Sequence, residues 1–192
     1  MKTVSLDRQG NVTGMTVEQV VEMNRDFAQH DAVRKIERWS IREFMREQSV
    51  AGFLKGKVLD YGCGEQPYKG LVNGEYIPYS PCNDTPQSLT LLYDKCDAVM
   101  CNQVTQYVDN VPVMLARLHN LLKPEGHLVL TFATNWDEVE TGDLHRFTAR
   151  GMEIMLHNAE FDLLVRARRA EVTHGLFKFP LGYGMVCRRR KD

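Results

Sequence analysis

The run Val58-Leu59-Asp60-Tyr61-Gly62-Cys63-Gly64 is the segment of this chain best suited to chemistry. An apolar stretch of strand length ends in an acid and then in two glycines that alternate with other residues. A buried parallel strand that closes in a glycine turn lets the backbone approach a ligand, because no Cβ stands in the way. Glu65-Gln66-Pro67-Tyr68-Lys69-Gly70 does not supply the third glycine of a dinucleotide fingerprint. The Gly-x-Gly alone is therefore a weak sign of a nucleotide-like site. His145 is the best candidate base: it precedes a helix signalled by Thr148, and a neutral imidazole titrates near working pH. The alternative is that His145 and Arg146 only tie down their loop.

The elements that must position these residues follow from periodicity. Residues 3–14 read as strand-turn-strand about Gln9-Gly10-Asn11, or as a loosely ordered arm. Thr16 and Gln19 fit a capping box, with Val17, Val20, Val21 and Phe27 at helical spacing behind it. A second helix is expected over 32–48, where Val33, Ile36, Ser40, Ile41, Phe44 and Met45 make one stripe. Its opposite face carries Arg34, Lys35, Arg38, Arg42 and Arg46 among glutamates and reads as solvated. From Lys57 onward, strands (57–61, 75–79, 97–101, 126–133) and helices (110–122, 148–159) alternate, which indicates parallel strands with crossovers. Leu163–Ala167 and Gly182–Cys187 are strand-like runs joined without a crossover helix, hence antiparallel neighbours. Only 16 residues, Pro81 to Cys96, separate the second strand from the next clear one. They can hold a short strand over Ser88–Leu92 but not also a regular crossover helix.

Composition sets the bounds. At 192 residues with 43% hydrophobic and 26% charged residues, the chain can bury a full core without staples. No apolar run reaches the length of a membrane span, and Met1–Asp7 lacks the apolar segment of a secretion signal. Five cysteines without Cys-x-x-Cys spacing argue against zinc or a disulfide framework, which makes a cytoplasmic location the simple expectation. A net charge of −1 gives no support for nucleic-acid binding.

Taken together, Lys57–Gly64 resembles motif I of class I S-adenosylmethionine (SAM) dependent methyltransferases, and the resemblance continues in order. Glu75–Ser80 lies where that family has its second strand, and Asp97–Val104 resembles the fourth strand and its loop. Leu118–Leu130 resembles a helix, Leu-Lys-Pro-x-Gly turn and fifth strand. His145-Arg146-Phe147-Thr148 through Phe161 resembles the segment that many small members carry afterwards. The resemblance implies a Rossmann-like, doubly wound α/β fold with a mostly parallel sheet and an antiparallel last strand. It also implies an N-terminal arm and helical lid over 1–50, packed on the carboxyl edge, and a methyltransferase domain over 51–192.

The resemblance further implies SAM as cofactor and S-adenosylhomocysteine as product, held by Asp60, Tyr61, Gly62, Cys63, Gly64, Tyr79, Ser80, Asn102 and Gln103. The second strand of the family ends in an acid that grips both ribose hydroxyls, and here that position falls on Ser80. A lost charge-assisted hydrogen bond costs about 1.5–3 kcal/mol, so without compensation by Asp84 or another group, cofactor affinity should drop roughly ten- to a hundredfold. Tyr107, Asn135, Trp136, His174 and Phe177 fall in loops at the same edge. Trp136 either walls an acceptor pocket or closes its loop, and Phe177 with Phe179 either forms a lid or packs. His174 reads as a surface residue, His119 as riding a helix flank, and Arg188–Lys191 as a solvated terminus. The leading expectation is methyl transfer to a small-molecule acceptor, with His145 as catalytic base, no metal, and no membrane or nucleic-acid partner. The amphipathic 16–48 region either covers the site or forms a homodimer. The competing expectation is a catalytically degenerate domain serving as a binding or assembly module. A nicotinamide-dependent oxidoreductase shares the strand-turn logic but lacks the third glycine.

Overall fold

A computed structural model describes residues 5–6, 12–13, 31–81, 84, 86–134, 142–174 and 177–191. Strands β1 (Ser5–Leu6) and β2 (Val12–Thr13) pair antiparallel, as the strand-turn-strand reading of 3–14 expects. The capped helix expected from Thr16 lies outside the described residues, as do Asn135 and Trp136. The rest begins with helix α1 (Asp31–Val50). It continues through β3 (Lys55–Tyr61), β4 (Asn73–Tyr79), a short helix α2 (Pro86–Thr90), β5 (Cys96–Asn102), α3 (Val111–Leu121), β6 (Leu122–Ala133), α4 (Ala149–Asn158), β7 (Phe161–His174) and β8 (Phe177–Arg189). Six strands form one sheet in the order β4-β3-β5-β6-β8-β7, in which only β8 runs against the others. Among the described residues, no helix is long and apolar enough to cross a membrane.

The helix ends form where the sequence placed them. Asn110 Oδ1 accepts from Val113 N at 3.1 Å to start α3, and Thr148 Oγ1 accepts from Gly151 N at 3.0 Å to start α4. The Lys123–Gly126 turn is absorbed as an irregularity within β6. Pairing with β5 runs from Cys96–Leu122 directly to Ala98–His127.

The expected third strand over Ser88–Leu92 does not form. The segment makes one turn of helix, burying Leu89 and leaving Leu91 exposed, which is not the alternation of a strand. Sixteen residues leave no length for a crossover to a third position, so β4 is the sheet's edge. Its outward-facing residues are Gly74, Tyr76 and Pro78, because Asn73 N and Tyr79 O both bond toward β3. Pro78 has no N–H to offer, which blunts the exposed edge.

The two sheet faces are covered differently. Leu59, Val99, Cys101, Leu128, Leu130, Met185 and Cys187 pack beneath α3 and α4. On the other face the crossover from β3 to β4 contains only a 3-10 turn, Lys69–Leu71. That leaves Val58, Ala98, Met100, Val129 and Val186 without a crossover helix, and α1 covers them with Ile41, Phe44 and Met45. This corrects the expectation that the 32–48 helix sits on the carboxyl edge as a lid. The sheet face was not already covered, and burying it outweighs capping an edge. Toward that edge α1 contributes Glu37 and Ser40, which meet Arg169 opposite Gly182. Ile36, expected in the buried stripe, is exposed, as is Trp39 at 61%.

Arg169 of β7 ties this layer together. It is 2% exposed, and its guanidinium donates to Tyr183 O at 3.2 Å, Phe132 O at 3.1 Å and Ser40 Oγ at 3.3 Å, with Glu37 Oε1 at 3.7 Å. The guanidinium crosses Gly182, where a Cβ would collide with it, and Phe44 crosses Gly184 in the same way.

Two further expectations are corrected here. The basic C-terminal run is not a solvated tail: Arg189 is buried against Asp94 and the Leu122 carbonyl, and Arg188 and Arg190 both pair with Asp162. His119 is buried, with its ring edge-on to Phe161 at 5.3 Å.

A Cβ added at Gly184 would lie 2.6 Å from the Phe44 ring. Gly184→Ala is therefore expected to lower unfolding free energy in urea by about 1–3 kcal/mol through overpacking. Adding Phe44→Leu should recover most of that loss; no recovery would mean that α1 does not pack at Gly184.

Candidate functional site at the carboxyl edge of the sheet

The alternation of strand side chains decides what reaches the site. On β3, Val58 and Asp60 face α1, whereas Leu59 and Tyr61 face α3 and α4. Asp60, Asn102 and Thr131 thus fall on one face near the carboxyl edge: Asn102 pairs with Thr131, and Asp60 pairs with Met100, two residues before Asn102. Tyr61 and Tyr79 point the other way and stack on each other at 5.2 Å in the core. Only their backbone remains at the turn, and it has a use there: Tyr79 O accepts from both Gly62 N (2.8 Å) and Cys63 N (3.1 Å). The end of β4 and the glycine turn are one hydrogen-bonded unit.

Gly62 and Gly64 both take positive φ, +83° and +47°. A Cβ at Gly62 would run into the Val104 side chain, whereas one at Gly64 would meet nothing within 4 Å. Gly64 therefore leaves open space beside the turn, and Gly62 lets the loop after β5 close onto it. Cys63 is buried between them.

Asp60 is 2% exposed and its Oδ2 accepts from Tyr76 Oη at 2.7 Å. Desolvation pushes its carboxyl up to about 6, and the Tyr76 hydrogen bond offsets only part of that. Burial likewise pushes the Tyr68 phenol up to about 12, with Arg169, Asp60, Glu37 and Arg42 all acting on it electrostatically. The Glu37 carboxyl is also raised by burial, against the pull of Arg169. Asp60, Tyr76, Tyr68, Glu37 and Arg169 thus form a polar layer between the sheet and α1.

The loop after β5 is built from side-chain amides. Gln106 Nε2 donates to Gln103 Oε1 at 3.3 Å, Gln103 Nε2 to Thr131 Oγ1 at 3.4 Å, and Thr131 Oγ1 to Asn102 Oδ1 at 3.0 Å. Gln103 itself holds φ +55°, with its N–H on Thr131 O at 3.0 Å. At the buried end of this chain, Asn102 Nδ2 has no partner among the described residues. Gln106 O accepts from Leu144 N and His145 N, so the same loop anchors the 142–148 segment. His145 Nε2 lies 3.0 Å from Val108 O, which makes it a donor and leaves Nδ1 as the proton-accepting nitrogen. Arg146 forms a two-pronged pair with Asp143.

The structure brings together Asp60, Gly62, Cys63, Gly64, Asn102 and Gln103 at one edge, with His145 held beside the β5 loop. His174 and Phe177 are not loop residues: they pair with each other on a β7–β8 ladder that runs past Ala133, the last β6 residue in the sheet. The sequence reading omitted Tyr76, Tyr68, Glu37 and Arg169 from the site. Tyr76 could have been found from the β3–β4 register, which sets it opposite Val58, two residues from Asp60. The others depend on α1 lying over this face, for which the sequence carries no signal.

Comparison with known proteins agrees with this architecture. The family described as "Methyltransferase domain" matches residues 25–166. No curated protein matches the chain. Among solved structures, the Burkholderia thailandensis 1,6-didemethyltoxoflavin-N1-methyltransferase, with bound 1,6-didemethyltoxoflavin and S-adenosylhomocysteine, is 17% identical. That match covers 97% of this chain and 98% of the other, with a TM-score of 0.58. A chain from the complex of the Haloferax volcanii Trm112 methyltransferase activator with a methyltransferase is 13% identical, covering 87% and 97%, with a TM-score of 0.58. A Methanosarcina mazei SAM-dependent methyltransferase is 18% identical, covering 72% and 94%, with a TM-score of 0.51. At these identities the likenesses establish the fold.

The raised Asp60 carboxyl has a consequence for stability. Its folded value lies above its unfolded one, so the protonated form is favoured in the folded state and stability falls as pH rises from about 4 through about 6. Asp60→Asn should remove that part of the pH dependence. It should be more stable than the parent at pH 7.5, by up to about 3 kcal/mol, but not at pH 4. Parallel urea curves for the two proteins at all pH values would show that Asp60 is not desolvated.

Proposed function

This chain belongs to the methyltransferase family, with the class I SAM-dependent architecture, and on that premise we propose that it transfers the methyl group of SAM to a small-molecule acceptor. The observation that carries this reading is Asp60: a carboxylate that burial holds at high energy, beside a glycine turn with open space at Gly64. A cationic ligand placed there recovers the cost of ionising it. SAM is the cofactor of this family, and a sulfonium with an α-amino group suits such a site. The donor set fits it.

Asp60, the Gly62–Gly64 backbone and Asn102 would hold the methionine end, and the turn after β4 would hold the ribose. The bound cofactor supplies a methyl group already activated as an electrophile, so proximity and alignment, worth about 7–11 kcal/mol, are the protein's main contribution. Asn102 Nδ2 presents a buried donor without a protein partner, suited to an oxygen of the ligand. His145 is assigned the acceptor's proton, taken at Nδ1 while Nε2–H stays on Val108 O. Gln106 O holds the loop that carries it. The small-molecule assignment is supported by the Burkholderia relative, solved with a small molecule bound and matched over nearly its full length.

The division between lid and domain is drawn earlier than residue 50, since α1 belongs to the core. We assign the lid role to residues 1–30, which precede α1 in the chain.

Isothermal titration tests the reading. S-adenosylhomocysteine is expected to bind, and Gly64→Val, which fills open space, to weaken it by about tenfold or more while the protein stays folded. A folded wild-type protein giving no heat with high-micromolar ligand would overturn the proposed function. Deleting residues 1–30 should abolish turnover in an acceptor screen yet leave a cooperatively unfolding core. Full turnover in that variant would remove the lid role.

A further inference from the structure

Asp60 stands among neighbours that cannot stabilise a charge. In the sheet register it lies between Pro78 on β4 and Met100 on β5, and neither side chain offers a donor. On its own strand and face the preceding side chain is Val58, fully buried. Among the described residues, the one donor that reaches the carboxylate is Tyr76 Oη, 2.7 Å from Oδ2. Tyr76 sits opposite Val58, so its ring spans the diagonal to Asp60 from the side away from the glycine turn. Oδ1 is left without a partner among the described residues.

We infer that Tyr76 is a positioning residue for the cofactor site: its hydroxyl keeps Asp60 a carboxylate, with Oδ2 occupied and Oδ1 left for the ammonium group of the ligand. This rests on the reading of the site as a SAM site and deepens it. A hydrogen bond to the ionised form of an acid favours that form, and here it works against desolvation, which favours the protonated one. A phenol suits the task because it donates without yielding its proton. Burial and the Asp60 carboxylate together push the Tyr76 hydroxyl well above its ordinary range.

No other titratable group around Asp60 takes this role. The Cys63 and Cys101 thiols feel its charge, but burial pushes both up and they stay neutral. Tyr68, in the β3–β4 crossover, also feels Asp60 and is pushed up to about 12 by burial. Glu37 of α1 pairs with Arg169 of β7, and both, with Arg42, act on Tyr68. Lys69 Nζ lies 5.8 Å from the centre of the Tyr76 ring.

The test is isothermal titration between pH 5.5 and 7.5 with two ligands. S-adenosylhomocysteine carries the ammonium group; 5′-methylthioadenosine keeps the adenosine and the sulfur but lacks the amino-acid end. Wild-type affinity for S-adenosylhomocysteine should fall as pH drops through about 6, where Asp60 takes up its proton. Tyr76→Phe keeps the ring in its packing on the α1 face and removes only the donor. It should move that fall upward by about one pH unit, so that affinity is about tenfold lower than wild type at pH 5.5 and within about twofold at pH 7.5. Binding of 5′-methylthioadenosine should be the same in both proteins at every pH. Asp60→Asn should abolish the fall, and adding Tyr76→Phe to it should change nothing further. An unmoved fall in Tyr76→Phe, a loss equal at both pH values, or a loss shared by 5′-methylthioadenosine would overturn the assignment while leaving the SAM site intact. So would a further drop in the double variant. If wild type binds neither ligand, the SAM reading fails and this inference fails with it.

Discussion

The structure depends on how one face of the sheet is covered. The crossover from β3 to β4 is too short to lay a helix there, so α1 must do so from the N-terminal side. Arg169 makes this possible. Burying a guanidinium is expensive, and the cost is met because each of its nitrogens finds a carbonyl, a hydroxyl or the Glu37 carboxylate. The arrangement needs two glycines on β8, since a Cβ at either would strike Arg169 or Phe44. An arginine on β7, two glycines on β8 and a serine on α1 therefore form one packing unit, although α1 lies far from the other two in sequence.

This layer sets the electrostatics of the site. With α1 over the face, Asp60 is 2% exposed and, among the described residues, has a single phenolic donor. A carboxylate in that position is poorly stabilised in the free protein and well suited to a cation. The same burial raises Glu37 and Tyr68, so these two acids hold their protons more tightly than exposed groups would. The amide chain from Gln106 to Asn102 works in a different way. It uses neutral groups to fix geometry, adds no charge, and ties the His145 loop to the carboxyl end of β5.

The abbreviated side of the sheet shows how a local departure is accommodated. The segment after β4 lacks the length for a third strand, so it turns back at once. In turning, it brings Asp84 to the place where the strand has only Ser80. Pro78 on the same strand protects an edge that a third strand would otherwise have covered. The Ser80–Asp84 turn and the protected edge thus both follow from one short connection.

Much of this was legible in the chain itself. The strand and glycine turn at Val58–Gly64, the cap at Thr148 and the final antiparallel pair all follow from local chemistry: side-chain period, turn residues and a cap acceptor within a few positions. The Asp60, Gly62 and Gly64 set was legible for the same reason. Other features were decided only by the tertiary structure, because they depend on which surface a segment finds rather than on its own pattern. An amphipathic α1 suits a lid, a dimer or a sheet face equally well; the uncovered face chose it, and left Ile36 and Trp39 outside. Ser88–Leu92 reads as a strand until there is no neighbour to pair with. Tyr61 and Tyr79 look like ligand-lining residues until the pleat turns them into the core. The partners of Asp60 and Arg169 lie on other elements, and a sequence specifies such pairs only through the packing that brings them together.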